Sequence, residues 1–171
     1  MKKLFLILFC AALIGCASNN VTSDGAFITK YDDVTGVTET IHKDLQVGSF
    51  YNLRDNLAGE REHVMLTITN GKLMLGVLYQ YNKWAFLTSA VFISGGERLE
   101  IKLDNRSTNV VSGDVVREGY AVALSDEEIE KLGALLQNDS VYIAFIGDKY
   151  TTDKIAVKPK IRDALRATLE Y

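Results

Sequence analysis

The Asn70-Gly71 pair, together with the alternating residues on both sides of it, constrains the fold of this chain more than any other feature. Apolar residues occupy every second position over 64–68 before the pair and over 73–81 after it. Asn-Gly favours a type I′ turn, in which both central residues adopt positive φ. The stretch therefore predicts a β-hairpin with one apolar face.

The residues that follow the hairpin predict two further strands. Residues 86–93 are apolar on both faces, which is typical of a central strand. Gly95-Gly96 predicts a turn, and residues 99–103 then alternate between apolar and charged positions. Together with the hairpin, this pattern predicts a four-stranded antiparallel meander.

The rest of the chain adds more strands and two late helices. Strands are expected over 26–31 and 37–42, followed by a long loop over 43–61 and, further on, strands over 118–124 and 141–145. Ser125 and Glu128 form a capping box at the start of an amphipathic helix. Pro159 suits the first turn of a second one. We therefore expect an α+β fold of mostly antiparallel β-structure, a sandwich or a strongly curved sheet of about seven to nine strands.

The N-terminus has the organisation of a secretory signal. Lys2 and Lys3 precede an apolar run, Leu4 to Leu13, which is shorter than the roughly 20 residues of a membrane-spanning helix. The run ends Leu13-Ile14-Gly15-Cys16, which resembles the lipobox of bacterial lipoproteins. This resemblance implies cleavage before Cys16, a diacylglyceryl thioether on its sulfur and an acylated new amine. Ala17, in place of an aspartate, resembles the pattern of lipoproteins that are sent to the outer membrane.

This interpretation divides the chain into three parts and names its first partner. Residues 1–15 are the signal peptide, residues 16–25 a flexible polar tether with acylated Cys16, and residues 26–171 a single globular domain. The partner is a lipid bilayer, bound through the acyl chains. The order of elements from Trp84 onward is also loosely similar to small uncharacterised bacterial envelope proteins.

Composition and cysteine usage exclude several classes of site. The lipoprotein resemblance implies that Cys10 leaves with the signal and that Cys16 is acylated, so we expect neither a disulfide nor a thiolate metal site in the domain. The formal net charge is −3 and the sequence has no basic run, which argues against a nucleic-acid partner. We expect no metal and no cofactor.

The polar residues give no recognisable catalytic pattern. His42 and His63 have no metal-ligand spacing and are interpreted as solvated residues at strand ends. Asp32-Asp33 is interpreted as turn chemistry. The acidic residues 126–128 lie in the first turn of a helix, where negative charge suits the helix dipole.

The expected function is non-catalytic binding or a structural role in the bacterial envelope. The first binding surfaces to consider are Tyr79, Tyr81 and Trp84, and the polar loop from Asn105 to Asn109. Aromatic residues are also routine in strands and cores, and a core position is the favoured interpretation of these three. The partner would be another envelope protein or a polymer. Two alternatives remain. One is an envelope hydrolase built on His42 or His63, and the other is a carrier of a small ligand or lipid in an apolar cavity.

Overall fold

The computed structural model describes residues 19–46, 61–104, 107–112 and 115–171. In these residues the chain forms eleven strands, one short 3₁₀ turn at Lys43–Leu45 and two α-helices. The strands are β1 (Asn19–Asp24), β2 (Phe27–Asp32), β3 (Val37–His42), β4 (Arg61–Thr69), β5 (Lys72–Tyr81), β6 (Leu87–Ser94), β7 (Glu97–Lys102), β8 (Ser107–Ser112), β9 (Val115–Ala123), β10 (Tyr142–Gly147) and β11 (Ile155–Ala156). The helices are α1 (Asp126–Leu136) and α2 (Pro159–Glu170).

The strands form two antiparallel sheets. The larger has the order β1-β2-β3-β4-β5-β9-β8, and the smaller has the order β11-β10-β6-β7. The predicted class, mostly antiparallel β-structure with two amphipathic helices in the C-terminal half, is confirmed. The number of strands exceeds the predicted seven to nine because β1 and β8 are largely polar and give weak sequence signals.

The predicted four-stranded meander is wrong. The β4–β5 hairpin belongs to the larger sheet and the β6–β7 hairpin to the smaller one. The free edge of β5 pairs with β9 along Met74–Tyr81, so β6 cannot pair there. A segment of five residues, 82–86, carries the chain from one sheet to the other. We call residues 82–86 the crossover.

The predicted tether over residues 16–25 also differs from the structure. Residues 19–24 form β1, which pairs with β2 in a regular antiparallel register from Asn19↔Asp32 to Asp24↔Phe27. Side-chain hydrophobicity does not reveal this strand because β1 is an edge strand held by backbone hydrogen bonds to β2. Cys16 and the signal residues lie outside the described residues.

The hairpin expected at Asn70-Gly71 is confirmed. Asn70 and Gly71 have φ of 49° and 75°, as a type I′ turn requires. The β6–β7 turn is confirmed as well, with φ of 58° at Gly95 and 86° at Gly96. The central position of β6, between β10 and β7, agrees with its apolar residues on both faces.

One hydrophobic core joins both sheets and both helices. α1 begins with the predicted capping box, in which Ser125 Oγ accepts a hydrogen bond from the Glu128 amide and Glu128 Oε2 accepts one from the Ser125 amide. α2 begins at Pro159 and contacts α1, β3 and β4. The completely buried core side chains include Leu66, Leu75, Phe92, Phe145, Leu132, Leu136 and Leu165.

Candidate functional site

The crossover is held in place by a buried carboxylate. Glu118 lies on β9 and is completely buried. Its Oε1 accepts hydrogen bonds from the backbone amides of Ala85 at 2.7 Å and Phe86 at 2.9 Å. Its Oε2 accepts one from the amide of Leu87 at 3.0 Å and one from the Tyr120 hydroxyl at 2.8 Å. These four donors compensate for the cost of removing a carboxylate from water.

A second set of backbone contacts fixes the crossover from the opposite side. The amides of Asp148 and Lys149 donate to the carbonyl oxygens of Phe86 and Ala85, each at 3.0 Å. Gly147 allows this approach, because a Cβ there would lie 2.3 Å from the Ala85 oxygen. The crossover is therefore clamped between β9 and the loop that follows β10.

The clamp holds Phe86 in an unfavourable backbone conformation. Its φ is 53°, in the left-handed region that a bulky side chain rarely adopts. Such a residue persists only where the surrounding structure determines its conformation, and residues of this kind concentrate at functional sites. The hydrogen bonds from its own amide and to its own carbonyl supply that constraint.

Four partly exposed aromatic residues lie in the crossover or beside it: Tyr81, Trp84, Phe86 and Tyr150. Trp84 stacks on Phe86, with ring centroids 5.8 Å apart and an interplanar angle of 24°. The ring of Tyr150 lies 6.5 Å from that of Tyr81, and Lys83 Nζ is 3.5 Å from the Tyr150 centroid. We call these four rings, with Lys83, the aromatic platform.

The structure separates the three aromatic residues that the sequence singled out. Tyr79 is completely buried, which agrees with the core interpretation and removes it from the possible binding surface. Its ring stacks beneath Tyr81 at 4.5 Å, and its hydroxyl donates to the Lys83 carbonyl at 3.2 Å. The alternation of β5 turns Tyr79 into the core, next to Glu118 on β9. Tyr81 and Trp84 are partly exposed and belong to the platform.

The predicted polar loop is wrong for residues 107–109, because β8 begins at Ser107 and its polar residues pair with β9. Asn109 lies in β8 opposite Arg117 of β9. Asn105 lies outside the described residues. Arg117 donates from Nε and Nη2 to Gln80 Oε1, at 3.1 Å and 2.7 Å, and burial lowers the pKa of Arg117 below its ordinary value.

Both histidines lie in strands of the larger sheet and neither belongs to the aromatic platform. His42 ends β3, where its Nδ1 accepts a hydrogen bond from the Asp44 amide at 3.2 Å and its ring meets Phe27 edge-on. His63 lies on β4 opposite Leu78. In the part of the chain that the structure describes, no group of three or more His, Cys, Asp or Glu residues could hold a metal ion.

The acidic residues have local structural roles. Asp32 Oδ1 accepts hydrogen bonds from the amides of Val34 and Thr35, as expected for turn chemistry. These bonds, with that from Thr35 the strongest influence, hold the pKa of Asp32 below its ordinary value. Glu127 pairs with Lys131 on the next turn of α1, which lowers the pKa of Glu127 and raises that of Lys131.

A surface groove of about 510 Å³ lies where β7 approaches the ends of β5 and β9. Its apolar lining includes Met74 and Val122, and its charged lining includes Glu100, Lys102 and Glu128. Neither histidine lines it. This mixture of charges belongs to the exposed edge of the smaller sheet and gives no recognisable catalytic geometry.

Buried Glu118 is the residue that sequence reasoning missed. Its signal is the alternation of Val116, Glu118, Tyr120 and Val122, which places one carboxylate on an otherwise largely apolar face of β9. Comparison with protein-family models, with curated proteins and with solved structures finds no match for this chain. Among the described residues, no helix has the length and apolar character needed to cross a membrane.

Proposed function

We propose that this protein is a lipid-anchored, non-catalytic binding protein of the bacterial envelope. Cys16 carries the acyl chains, and the aromatic platform binds another envelope component, a protein or a polymer. Ala17 after the cysteine favours the periplasmic face of the outer membrane. The lipobox-like residues 13–16 support the anchor, and the crossover supports the binding site.

The observation that carries the binding role is the fixed, strained crossover. A short link between two sheets does not require a buried carboxylate, and it does not require a phenylalanine with φ of 53°. Here three consecutive backbone amides converge on Glu118. The result is a rigid segment, and rigidity reduces the entropy lost when a partner binds.

The chemistry of the platform suits recognition of a partner. Tryptophan and tyrosine supply large contact areas and are enriched among the residues that dominate binding energies. Trp84 and Tyr150 are both partly exposed, and Lys83 adds a positive charge over the face of the Tyr150 ring. A surface of this kind combines apolar contact with one charged donor.

The two alternatives have less support from the geometry. His42 already accepts a backbone hydrogen bond at Nδ1 and contacts Phe27, which is a structural use of the ring. The space where the helices meet the sheets is filled by Leu132, Leu136 and Leu165, each completely buried. A carrier would need an apolar cavity in that region.

Site-specific photo-crosslinking in intact cells tests the binding role. A photoreactive phenylalanine derivative replaces Trp84 in one strain and Tyr142 in a matched strain. Tyr142 is 40% exposed and lies on β10, outside the platform. We expect a discrete adduct with an envelope component from position 84 and none from position 142.

A second substitution tests whether the adduct depends on the platform. Tyr150→Ala removes the ring that Lys83 covers, and we expect it to lower the yield of the adduct at position 84 several-fold. The proposal is contradicted if position 84 gives no adduct, or if positions 84 and 142 give the same adducts.

A further inference from the structure

We infer that the turn between β2 and β3, residues 33–36, is the end of the domain that contacts the bilayer, and that the aromatic platform lies at the opposite end. This inference rests on the proposed anchor at Cys16. The β2–β3 turn is then a second interaction surface, whose partner is the lipid headgroup layer, and the platform points away from the membrane.

The first step is the short distance between the anchor and the first strand. Only residues 17 and 18 separate Cys16 from Asn19, where β1 begins. An extended chain advances at most about 3.6 Å per residue, so Asn19 lies within roughly 11 Å of the acylated residue. The start of β1 is therefore held at the membrane surface.

The strand register shows which end of the larger sheet lies next to the anchor. Asn19 pairs with Asp32, and Asp32 pairs with Val37, so the start of β1 and the two residues that flank the β2–β3 turn lie at the same end of the sheet. The neighbouring Asn70-Gly71 turn lies at the same end, because Thr38 and Asn70 exchange two hydrogen bonds of 2.8 Å and 2.9 Å. The anchored end of the larger sheet thus presents two turns.

The third step is the exposure of apolar side chains at this end. Val34, in the β2–β3 turn, is 75% exposed. Tyr31 near the end of β2 is 41% exposed, and Val21 near the start of β1 is 57% exposed. Among the described residues, three of the five exposed large hydrophobic side chains belong to this short region. Tyrosine is enriched at membrane interfaces, and a valine in contact with lipid loses its unfavourable exposure to water.

The fourth step places the platform far from the bilayer. β5 runs from Lys72, beside the Asn70-Gly71 turn, to Tyr81, which belongs to the platform. Ten residues of antiparallel strand extend about 30 Å at roughly 3.3 Å per step. The platform therefore faces the aqueous compartment, and the partner of the platform lies beyond the surface of the anchoring membrane.

Fluorescence quenching on vesicles tests this orientation. The lipidated protein has no free thiol, so Val34→Cys and Asn82→Cys each introduce a single labelling site. Both positions are exposed, and Asn82 lies in the crossover. Each labelled protein is reconstituted into phosphatidylcholine vesicles that contain a headgroup-linked acceptor. A zwitterionic lipid is chosen because Asp32 and Asp33 would oppose an anionic surface.

We expect the label at position 34 to be quenched several-fold more strongly than the label at position 82. Equal quenching, or stronger quenching at position 82, would overturn the orientation. Flotation of the same samples distinguishes a failure of the proposed orientation from a failure of the proposed anchor. Protein that floats with the vesicles but shows reversed quenching contradicts only the orientation, whereas protein that does not float contradicts the anchor.

Discussion

The Glu118 carboxylate lies 2.7 Å from the backbone nitrogen of Ala85, although the two residues are 33 positions apart in the chain. This contact joins the larger sheet to the segment that leads into the smaller one. The free edge of β5 is paired with β9, so the chain cannot add the next strand of a meander there. The contacts of Glu118 with the crossover explain how Phe86 maintains its unusual φ.

Replacing the carboxylate with an amide tests this role. In Glu118→Gln, one oxygen becomes an NH₂ group, which cannot accept the hydrogen bond from the Leu87 amide. We expect a loss of about 1–3 kcal/mol in the free energy of unfolding, since a buried donor is left unpaired. Urea denaturation measures the loss. Trp84, the only tryptophan of the chain, reports on the crossover by its fluorescence.

Tyr120→Phe is the matched control for that variant. It removes one hydrogen bond to Glu118 Oε2 but leaves all three backbone amides in place. We expect a loss of about 1 kcal/mol or less and an unchanged Trp84 emission maximum. If Glu118→Gln were as stable as the parent, with the same emission, the proposed clamp would be wrong.

Two glycine-to-alanine substitutions should change the free energy of unfolding in opposite directions. Gly147→Ala places a Cβ 2.3 Å from the Ala85 carbonyl oxygen, so the clamp must shift, at a cost of about 1–3 kcal/mol. Gly133→Ala lies within α1, where the nearest atom, Leu169 Cδ1, is 3.8 Å away. Alanine is a better helix former, so we expect a gain of about 0.5–1 kcal/mol.

Thermal denaturation of both glycine variants measures these effects. Destabilisation by Gly133→Ala would mean that α1 packs differently against α2. A neutral Gly147→Ala would mean that the loop after β10 does not hold the crossover.

The β2–β3 turn should open at low pH. Its amide hydrogen bonds lower the pKa of Asp32 in the folded state. A group with a lowered folded pKa contributes stability that is complete above its unfolded pKa and is lost as the pH falls through the folded value. We expect the amide resonances of Val34 and Thr35 to shift over that acidic range in NMR spectra.

Asp32→Asn is the control for the pH dependence. Its side-chain oxygen can accept the same two hydrogen bonds but does not titrate, so the turn should persist and the two amides should lose their pH dependence. If the amides titrate equally in the variant, the carboxylate of Asp32 does not control the turn.

Local signals in the sequence predicted local structure well. Asn70-Gly71 requires positive φ at both residues, and the Ser125–Glu128 box closes within one helical turn, so neither depends on distant contacts. The pairing of β5 with β9 depends on residues about 40 positions apart, and alternation alone cannot choose between β6 and β9 as the neighbour.

The candidate site was predicted only in part, because it also depends on contacts between residues that are far apart in the chain. Tyr81 and Trp84 lie near each other in sequence and both reach the platform, whereas Tyr150 arrives from the loop after β10. The sequence alone does not separate buried Tyr79 from partly exposed Tyr81, because the position of Tyr79 opposite buried Glu118 depends on the β5–β9 register. β1 was missed because its polar residues pair through the backbone.

We propose that acyl chains on Cys16 hold this domain at a bacterial membrane, and mass spectrometry of the N-terminus of the native protein tests this anchor most directly. Protein is purified from the membrane fraction of cells that express the complete chain, and its N-terminal peptide is sequenced by mass spectrometry. We predict a chain that begins at Cys16 and carries a diacylglyceryl group on sulfur and an acyl group on the new amine. An unmodified Cys16, or cleavage at another position, would contradict the claim.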